Sequence, residues 1–150
     1  MTIATHEVPA TFRRQWAQST AAVIVGFGSV AVLSLATDQL LHVLQVYPPW
    51  GEPMYDARLN LLALSYRIVY TVVGGYLTAR LAPHAPMRHV IIVGILGFMA
   101  ASAGALAAIT MADLGPDWYP IALAVTAFPC VWIGGVLHRV WHVKRSNADE

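Results

Sequence analysis

The residues most able to do chemistry in this sequence are polar groups that interrupt otherwise apolar segments. Asp38 and His42 are four positions apart near the end of the first apolar segment, whereas Arg67 lies inside the second and Tyr70 follows three positions later. An ionisable group inside a membrane is costly, and it normally faces the interior of a helix bundle beside a partner. We therefore predict a polar cluster of Asp38, His42, Arg67 and Tyr70 as the candidate binding site.

An ion pair between Asp38 and Arg67 is the central expectation for this cluster. Arg67 follows the start of its apolar segment at Leu61 by six residues, a depth of about 9 Å at 1.5 Å per residue. Asp38 reaches a similar depth if the apolar core ends near His42. A guanidinium group can neutralise a carboxylate through two hydrogen bonds. Three interpretations remain open: a structural clasp between two helices, a proton or substrate site, and an unpaired Arg67 that extends to the outer surface.

Other chemical motifs are weak or absent. His138 and His142 have the spacing that can place two imidazoles on one metal ion, but Arg139 between them opposes a cation. The sequence contains no HExxH, no CxxC and no glycine-rich phosphate loop. Cys130 lies in an apolar segment, where a thiol is expected to be inert. We therefore predict no catalytic residue, no metal and no cofactor, and an enzyme is not the favoured class.

The composition indicates the environment in which the polar cluster must be held. Hydrophobic residues make up 57% of the chain and charged residues 11%, with a mean hydropathy of +0.58. Soluble domains usually carry about 25% charged residues, so an ordinary water-soluble globule is excluded. The net charge is only +1 and the basic residues lie at segment borders rather than in one patch. Nucleic acid is therefore not expected as a partner.

Four apolar segments predict an all-α membrane protein, a four-transmembrane-helix bundle that forms one integral membrane domain over residues 1–150. The predicted helices cover about 20–46, 60–81, 89–111 and 118–140. About 20 apolar residues span a bilayer as a helix, and lipid offers no water to unpaired backbone groups. A cleavable signal peptide is the competing interpretation of the first segment. We favour an uncleaved helix, because the apolar pattern resumes after Asp38.

The basic residues predict that both termini are cytoplasmic. Short cytoplasmic loops are rich in Lys and Arg. Only Arg58 lies in the first and third connections, and both of these also contain Pro, Gly, Trp and Tyr. The N-terminal arm, the middle loop and the C-terminal tail carry seven basic residues, which are Arg13, Arg14, Arg80, Arg88, Arg139, Lys144 and Arg145.

Rows of small residues predict where the helices pack. Small side chains let the backbones of membrane helices approach closely. The pairs Gly74-Gly75 and Gly134-Gly135 are 60 positions apart and hint at a duplicated helical hairpin. In the third segment we expect the small-residue face to contact protein and the bulkier face to meet lipid; a lined pore is the alternative. That small-residue face comprises Gly94, Gly97, Ala101, Gly104 and Ala108.

These features favour a small polytopic protein of the inner (cytoplasmic) membrane with a structural or accessory role. Its expected partners are the lipid bilayer and either copies of itself or a larger membrane complex. The alternative is a minimal oligomeric transporter or channel that uses Asp38, Arg67 and His42 near the outer leaflet. A membrane enzyme is a third possibility, but the soluble parts are too short for a catalytic domain.

Overall fold

The computed structural model describes residues 10–111 and 114–146, and the regular secondary structure of this part of the chain is entirely α-helical. The helices are α1 (Ala10–Val43), α2 (Ala57–Leu81), α3 (Pro86–Met111) and α4 (Trp118–Ser146). Each contains a stretch that is long and apolar enough to cross a membrane. The prediction of four such helices is confirmed.

The first helix differs most from its predicted bounds of 20–46. It begins at Ala10 and ends at Val43, and its 34 residues extend about 51 Å. Its end is a Schellman motif, in which Gln45 has a φ of 57° and the amides of Gln45 and Val46 donate to the carbonyls of His42 and Leu41. The helix therefore exceeds a bilayer core of about 30 Å, and its first turns extend beyond the bundle.

Local chemistry explains the starts of the next two helices, which each begin three residues before their predicted bounds. The side chain of Asp56 accepts a hydrogen bond from the Arg58 amide at 2.8 Å and caps α2. Pro86 opens α3 at the position where its missing N–H costs nothing. α4 continues through Pro129 and reaches Ser146 rather than residue 140.

The central contact of the bundle is between α2 and α4, which run in the same direction; α1 packs on α2 and α3 packs on α4. Gly75 lies against the Val131 backbone, and Gly134 lies against the Val72 carbonyl. A Cβ atom at Gly134 would also come within 2.7 Å of the Tyr76 amide nitrogen. These two helices therefore touch backbone to backbone, as small residues permit.

The other glycine of each pair, Gly74 or Gly135, faces an outer helix. A Cβ atom at Gly74 would lie 2.8 Å from the Gly26 carbonyl oxygen of α1. One at Gly135 would lie 2.9 Å from the Val90 side chain of α3. Each double glycine thus contacts two neighbouring helices.

The predicted packing face of α3 is only partly correct. Gly94 contacts the Phe128 ring, where a Cβ atom would come within 2.8 Å. A Cβ atom at Gly97 or Gly104 would meet nothing within 4 Å. The bulkier face is exposed as expected; Ile95 and Leu106 are examples. The prediction that Gly97 and Gly104 pack against a neighbouring helix was wrong, because Gly97 borders a cavity between the helices and Gly104 is exposed.

The two connections predicted to be external lie at the same end of the bundle and contact each other. The Met54 amide donates to the Leu114 carbonyl at 2.7 Å. Asn60, almost fully buried, donates to the carbonyls of Met54 and Asp56 at 2.9 Å each. These bonds fix the first connection against α2 and hold the start of α4 near the polar cluster.

Candidate functional site

The structure brings Asp38 of α1 and Arg67 of α2 together in an ion pair. Arg67 Nη2 donates to Asp38 Oδ2 at 2.5 Å, and the two side chains are 25% and 9% exposed. Because the helices run in opposite directions, residues from the end of α1 and the first half of α2 meet at one level. We call this ion pair and the two tyrosines that bond it, Tyr66 and Tyr119, the clasp.

The clasp joins three helices. Tyr66 of α2 donates its hydroxyl hydrogen to Asp38 Oδ1, so both carboxylate oxygens accept a hydrogen bond. Arg67 Nη1 donates to the hydroxyl oxygen of Tyr119 in α4. The guanidinium carbon also lies 5.5 Å from the Tyr66 ring centre and 5.9 Å from that of Tyr119, within the range of cation–π attraction.

Tyr47, in the connection after α1, extends this hydrogen-bonded network. Its hydroxyl oxygen is 3.4 Å from both the Tyr66 hydroxyl and the Leu59 carbonyl. Since Tyr66 gives its hydrogen to Asp38, Tyr47 supplies the hydrogen for whichever of these bonds it makes. Burial raises the pKa of Tyr47 above its ordinary value, so this side chain keeps its hydrogen at neutral pH.

Tyr70 lies beside the clasp without bonding the ion pair. Its hydroxyl shares a hydrogen bond of 2.9 Å with the Thr37 hydroxyl of α1. Its ring centre is 5.8 Å from that of Tyr66. The contact is a second polar link between α1 and α2, one helical turn deeper than Arg67.

His42 bonds the backbone of Asp38 and not its carboxylate. Its Nδ1 lies 2.7 Å from the backbone carbonyl oxygen of Asp38, to which it donates. The imidazole stacks on Trp50, with ring centres 3.9 Å apart and planes 3° from parallel. Trp50 in turn donates to the Gln39 side chain at 3.2 Å. His42 therefore fastens the first connection to α1 and takes no direct part in the ion pair.

Two members of the clasp were not anticipated. Tyr66 is shallow enough in its helix to serve as an interfacial anchor, but it binds Asp38. Tyr119 carried no separate prediction, because its position beside Trp118 at the start of a segment is typical of an interfacial ring. The position of Tyr119 along its segment could have indicated this contact. As the second residue of α4, it lies at the same depth as Arg67, whose guanidinium group can donate to a second acceptor.

A cavity of about 240 Å³ lies next to the clasp, and residues of all four helices line it. Among the described residues, Arg67 is the only charged one in its wall. The remaining wall is apolar apart from three hydroxyl groups, those of Ser34, Thr71 and Thr126. Gly97 also lines this space, which explains why an added Cβ atom there would meet nothing.

The described residues contain no group of three His, Cys, Asp or Glu side chains arranged to hold a metal ion. His138 and His142 have ring centres 5.6 Å apart. Their i, i+4 spacing gives a ring-to-ring contact at an interplanar angle of 62°. Cys130 is buried in α4. The candidate site therefore consists of the clasp, Tyr70 and the adjoining cavity.

No family model, no curated protein and no solved structure matches the chain. The geometry of the clasp therefore carries the functional argument. Both oxygens of Asp38 and both terminal nitrogens of Arg67 have protein partners. A carboxylate paired in this way is a strong link between helices.

Two tyrosines of α2 that lie one helical turn apart provide a first test of this bonding pattern. Tyr66 donates to a carboxylate, and Tyr70 bonds a neutral hydroxyl. We expect Tyr66→Phe to lower the free energy of unfolding by about 1.5–3 kcal/mol and Tyr70→Phe by about 0.5–1.5 kcal/mol. Thermal unfolding in mild detergent would measure both. Equal losses would contradict the charge-assisted bond.

Proposed function

We propose that the chain is a small polytopic protein of a bacterial inner membrane with a structural or accessory role. The observation that carries this proposal is the closed clasp: Tyr66 and Tyr119 complete the bonding of Asp38 and Arg67. A transport or proton-relay site must expose or exchange its ionisable groups. Here the hydrogen bonds of the same groups link α1, α2 and α4, so these groups stabilise the bundle.

We propose that both termini of the protein are cytoplasmic. The charge distribution supports this orientation: Arg80, Arg88 and Arg139 lie at the end of the bundle opposite Trp50 and Trp118. Basic residues favour the cytoplasmic side, and tryptophan favours the interface.

The orientation has a direct test in reporter fusions. Fusions after residue 52 or 115 are expected to report an external location, and fusions after residue 85 or 148 an internal one. The reason is the concentration of Lys and Arg around residues 80–88 and 139–145. Alkaline phosphatase and a fluorescent protein would serve as the complementary reporters. An external C-terminus would contradict the orientation.

We propose that the exposed small residues of α3 around Gly104 mediate association with a second copy or another membrane protein. The glycines of α2 and α4 are already used within the chain, whereas an added Cβ at Gly104 meets nothing. Ala103 and Ala107 beside it are exposed. Small exposed residues let a further helix approach closely, which is the main source of helix attraction in lipid.

The association is tested by purification in mild detergent followed by cross-linking and identification of the linked protein. Gly104→Leu is expected to abolish the cross-linked species and to leave the monomer folded. Gly28→Leu is the matched control, because a Cβ atom at Gly28 of α1 also meets nothing within 4 Å. Association that persists in Gly104→Leu would exclude this face, and loss in both variants would indicate a general effect of added bulk.

A minimal transporter or channel is the second candidate, and the cavity beside Arg67 is the observation that favours it. In this case the clasp would open during the cycle and expose Asp38. Proteoliposomes loaded with a pH-sensitive dye distinguish the two roles. The accessory role predicts no proton flux above that of empty vesicles. A flux that disappears in Asp38→Asn, with Arg58→Gln as the control, would favour transport instead.

A further inference from the structure

A second pocket, of about 690 Å³, lies at the end of the bundle opposite the clasp. The end of α2, the connection to α3, the first turn of α3 and the last turns of α4 form its wall. Its charged and titratable lining consists of Arg80, Arg88, Arg139, His138 and His142. We call this set the basic pocket, and none of its members belongs to the clasp.

The three arginines of the basic pocket are exposed, and no carboxylate among the described residues pairs with them. The Asp and Glu residues of the described ranges lie at the clasp, in the first connection and before α4: Asp38, Glu52, Asp56 and Asp117. A guanidinium group offers a fork of N–H donors that matches the oxygens of a carboxylate or phosphate. The basic pocket therefore concentrates positive charge and unused donors.

The start of α3 adds to the positive potential. Pro86 and Met87, its first two residues, line the pocket. Ala85 precedes them and offers no side-chain oxygen to cap the first turn. The N-terminus of a helix carries a partial positive charge, which favours anions. The helix end and the arginines thus both attract anions.

The packing of α4 shapes the floor of the pocket. Gly135 lies where a Cβ atom would come within 2.9 Å of Val90 and 3.1 Å of the Met87 sulfur. This close approach brings Arg139, one turn further along α4, toward the first turn of α3. The apolar surfaces of Ala79 and Met87 lie beside the charges, so the pocket has both a cationic rim and an apolar wall.

We infer that the basic pocket binds a phosphate-bearing anion, and that the anionic phospholipid headgroup is the source that its position fits. The pocket lies where the apolar helices end, which is the level of the headgroups around a membrane-spanning bundle. Basic pockets between helix ends bind such headgroups through charge-assisted hydrogen bonds. Free phosphate shares this chemistry and lacks the acyl chain that would use the apolar wall. The inference is independent of whether the protein is accessory or a transporter.

The test is a titration of the purified full-length protein in a neutral detergent with about 150 mM salt, which limits attraction between distant charges to about 8 Å. The ligands are phosphatidylglycerol, the zwitterionic phosphatidylcholine and inorganic phosphate, and the readout is the melting temperature. We expect phosphatidylglycerol to raise it and phosphatidylcholine to leave it unchanged. A rise with inorganic phosphate as well would assign the site to phosphate in general. No rise with either anion overturns the inference.

Single substitutions test whether phosphatidylglycerol binds in the basic pocket. Arg80→Gln and Arg139→Gln are each expected to weaken phosphatidylglycerol binding about tenfold, without changing the melting temperature of the lipid-free protein. Arg13→Gln is the matched control, because Arg13 is exposed on α1 and does not line the pocket. Equal weakening in all three variants would show diffuse surface attraction and overturn the site. Arg80→Lys, which retains the charge, keeps the test valid if Arg80→Gln folds poorly.

Discussion

Arg67→Gln is expected to destabilise the protein by about 3 kcal/mol, because it leaves the carboxylate of Asp38 buried with a single donor. Asp38→Asn is expected to cost less. Its amide oxygen can still accept a hydrogen bond, and Arg67 keeps the Tyr119 hydroxyl and two aromatic rings. Arg67→Gln is therefore expected to lower the free energy of unfolding more than Asp38→Asn does. Thermal or denaturant unfolding in mild detergent measures both.

A double-mutant cycle isolates the ion pair from the rest of the clasp. The variant with both Asp38→Asn and Arg67→Gln buries no unpaired charge, so its loss is expected to be smaller than the sum of the single losses. Arg58→Gln serves as the control: Arg58 is an exposed arginine of the same helix, and its change should cost no more than about 0.5 kcal/mol. Strict additivity would show that Asp38 and Arg67 do not interact.

The ion pair could be predicted from the sequence because an internal charge needs a partner, and few were present. Asp38 was the carboxylate at a matching depth on a neighbouring helix. The third helix of the clasp could not be predicted in the same way. Tyr119 is 52 positions from Arg67, and a tyrosine at the start of a segment fits an interfacial role equally well. Which interpretation holds depends on how α4 is rotated, and hydropathy does not encode this rotation.

His42 shows a different limit of sequence reasoning. Its spacing of four from Asp38 places both on one side of α1, which made a shared site plausible. The imidazole bonds a backbone carbonyl and stacks on Trp50, which is supplied by the connection after the helix. Residue spacing predicts the helix face on which a side chain lies. The contacts that the side chain makes there also depend on the connection that folds back over it.

The existence of the helices followed from apolar length, but the contacts of individual glycines did not. Gly94 and Gly97 belong to the same small-residue face of α3, yet only Gly94 lies against a neighbour. A helix crossing brings two axes close over a short distance and separates them beyond it. A stripe of small residues therefore indicates where close packing is permitted, and the crossing point decides which of these residues use it.

The crossing of α2 and α4 is where a single methyl group should have its largest effect on stability. Gly134→Ala places a Cβ atom against the Val72 carbonyl oxygen and 2.7 Å from the Tyr76 amide nitrogen. Both neighbours are backbone atoms of a helix, so neither can move without displacing α2. We expect a loss of about 3 kcal/mol, at the upper end of the cost of overpacking, visible as a lower melting temperature and a lower folded yield in detergent.

The same substitution at an open glycine should have the opposite sign. Gly97→Ala and Gly28→Ala add a methyl group where nothing lies within 4 Å, and alanine is favoured over glycine in a helix by up to about 1 kcal/mol. Both variants are therefore expected to melt at the wild-type temperature or above it, although the same glycine-to-alanine change at Gly134 is expected to destabilise the protein. If Gly134→Ala were tolerated as well as Gly97→Ala, the backbone contact between α2 and α4 could not be the centre of the bundle. The double glycines would then have to face lipid.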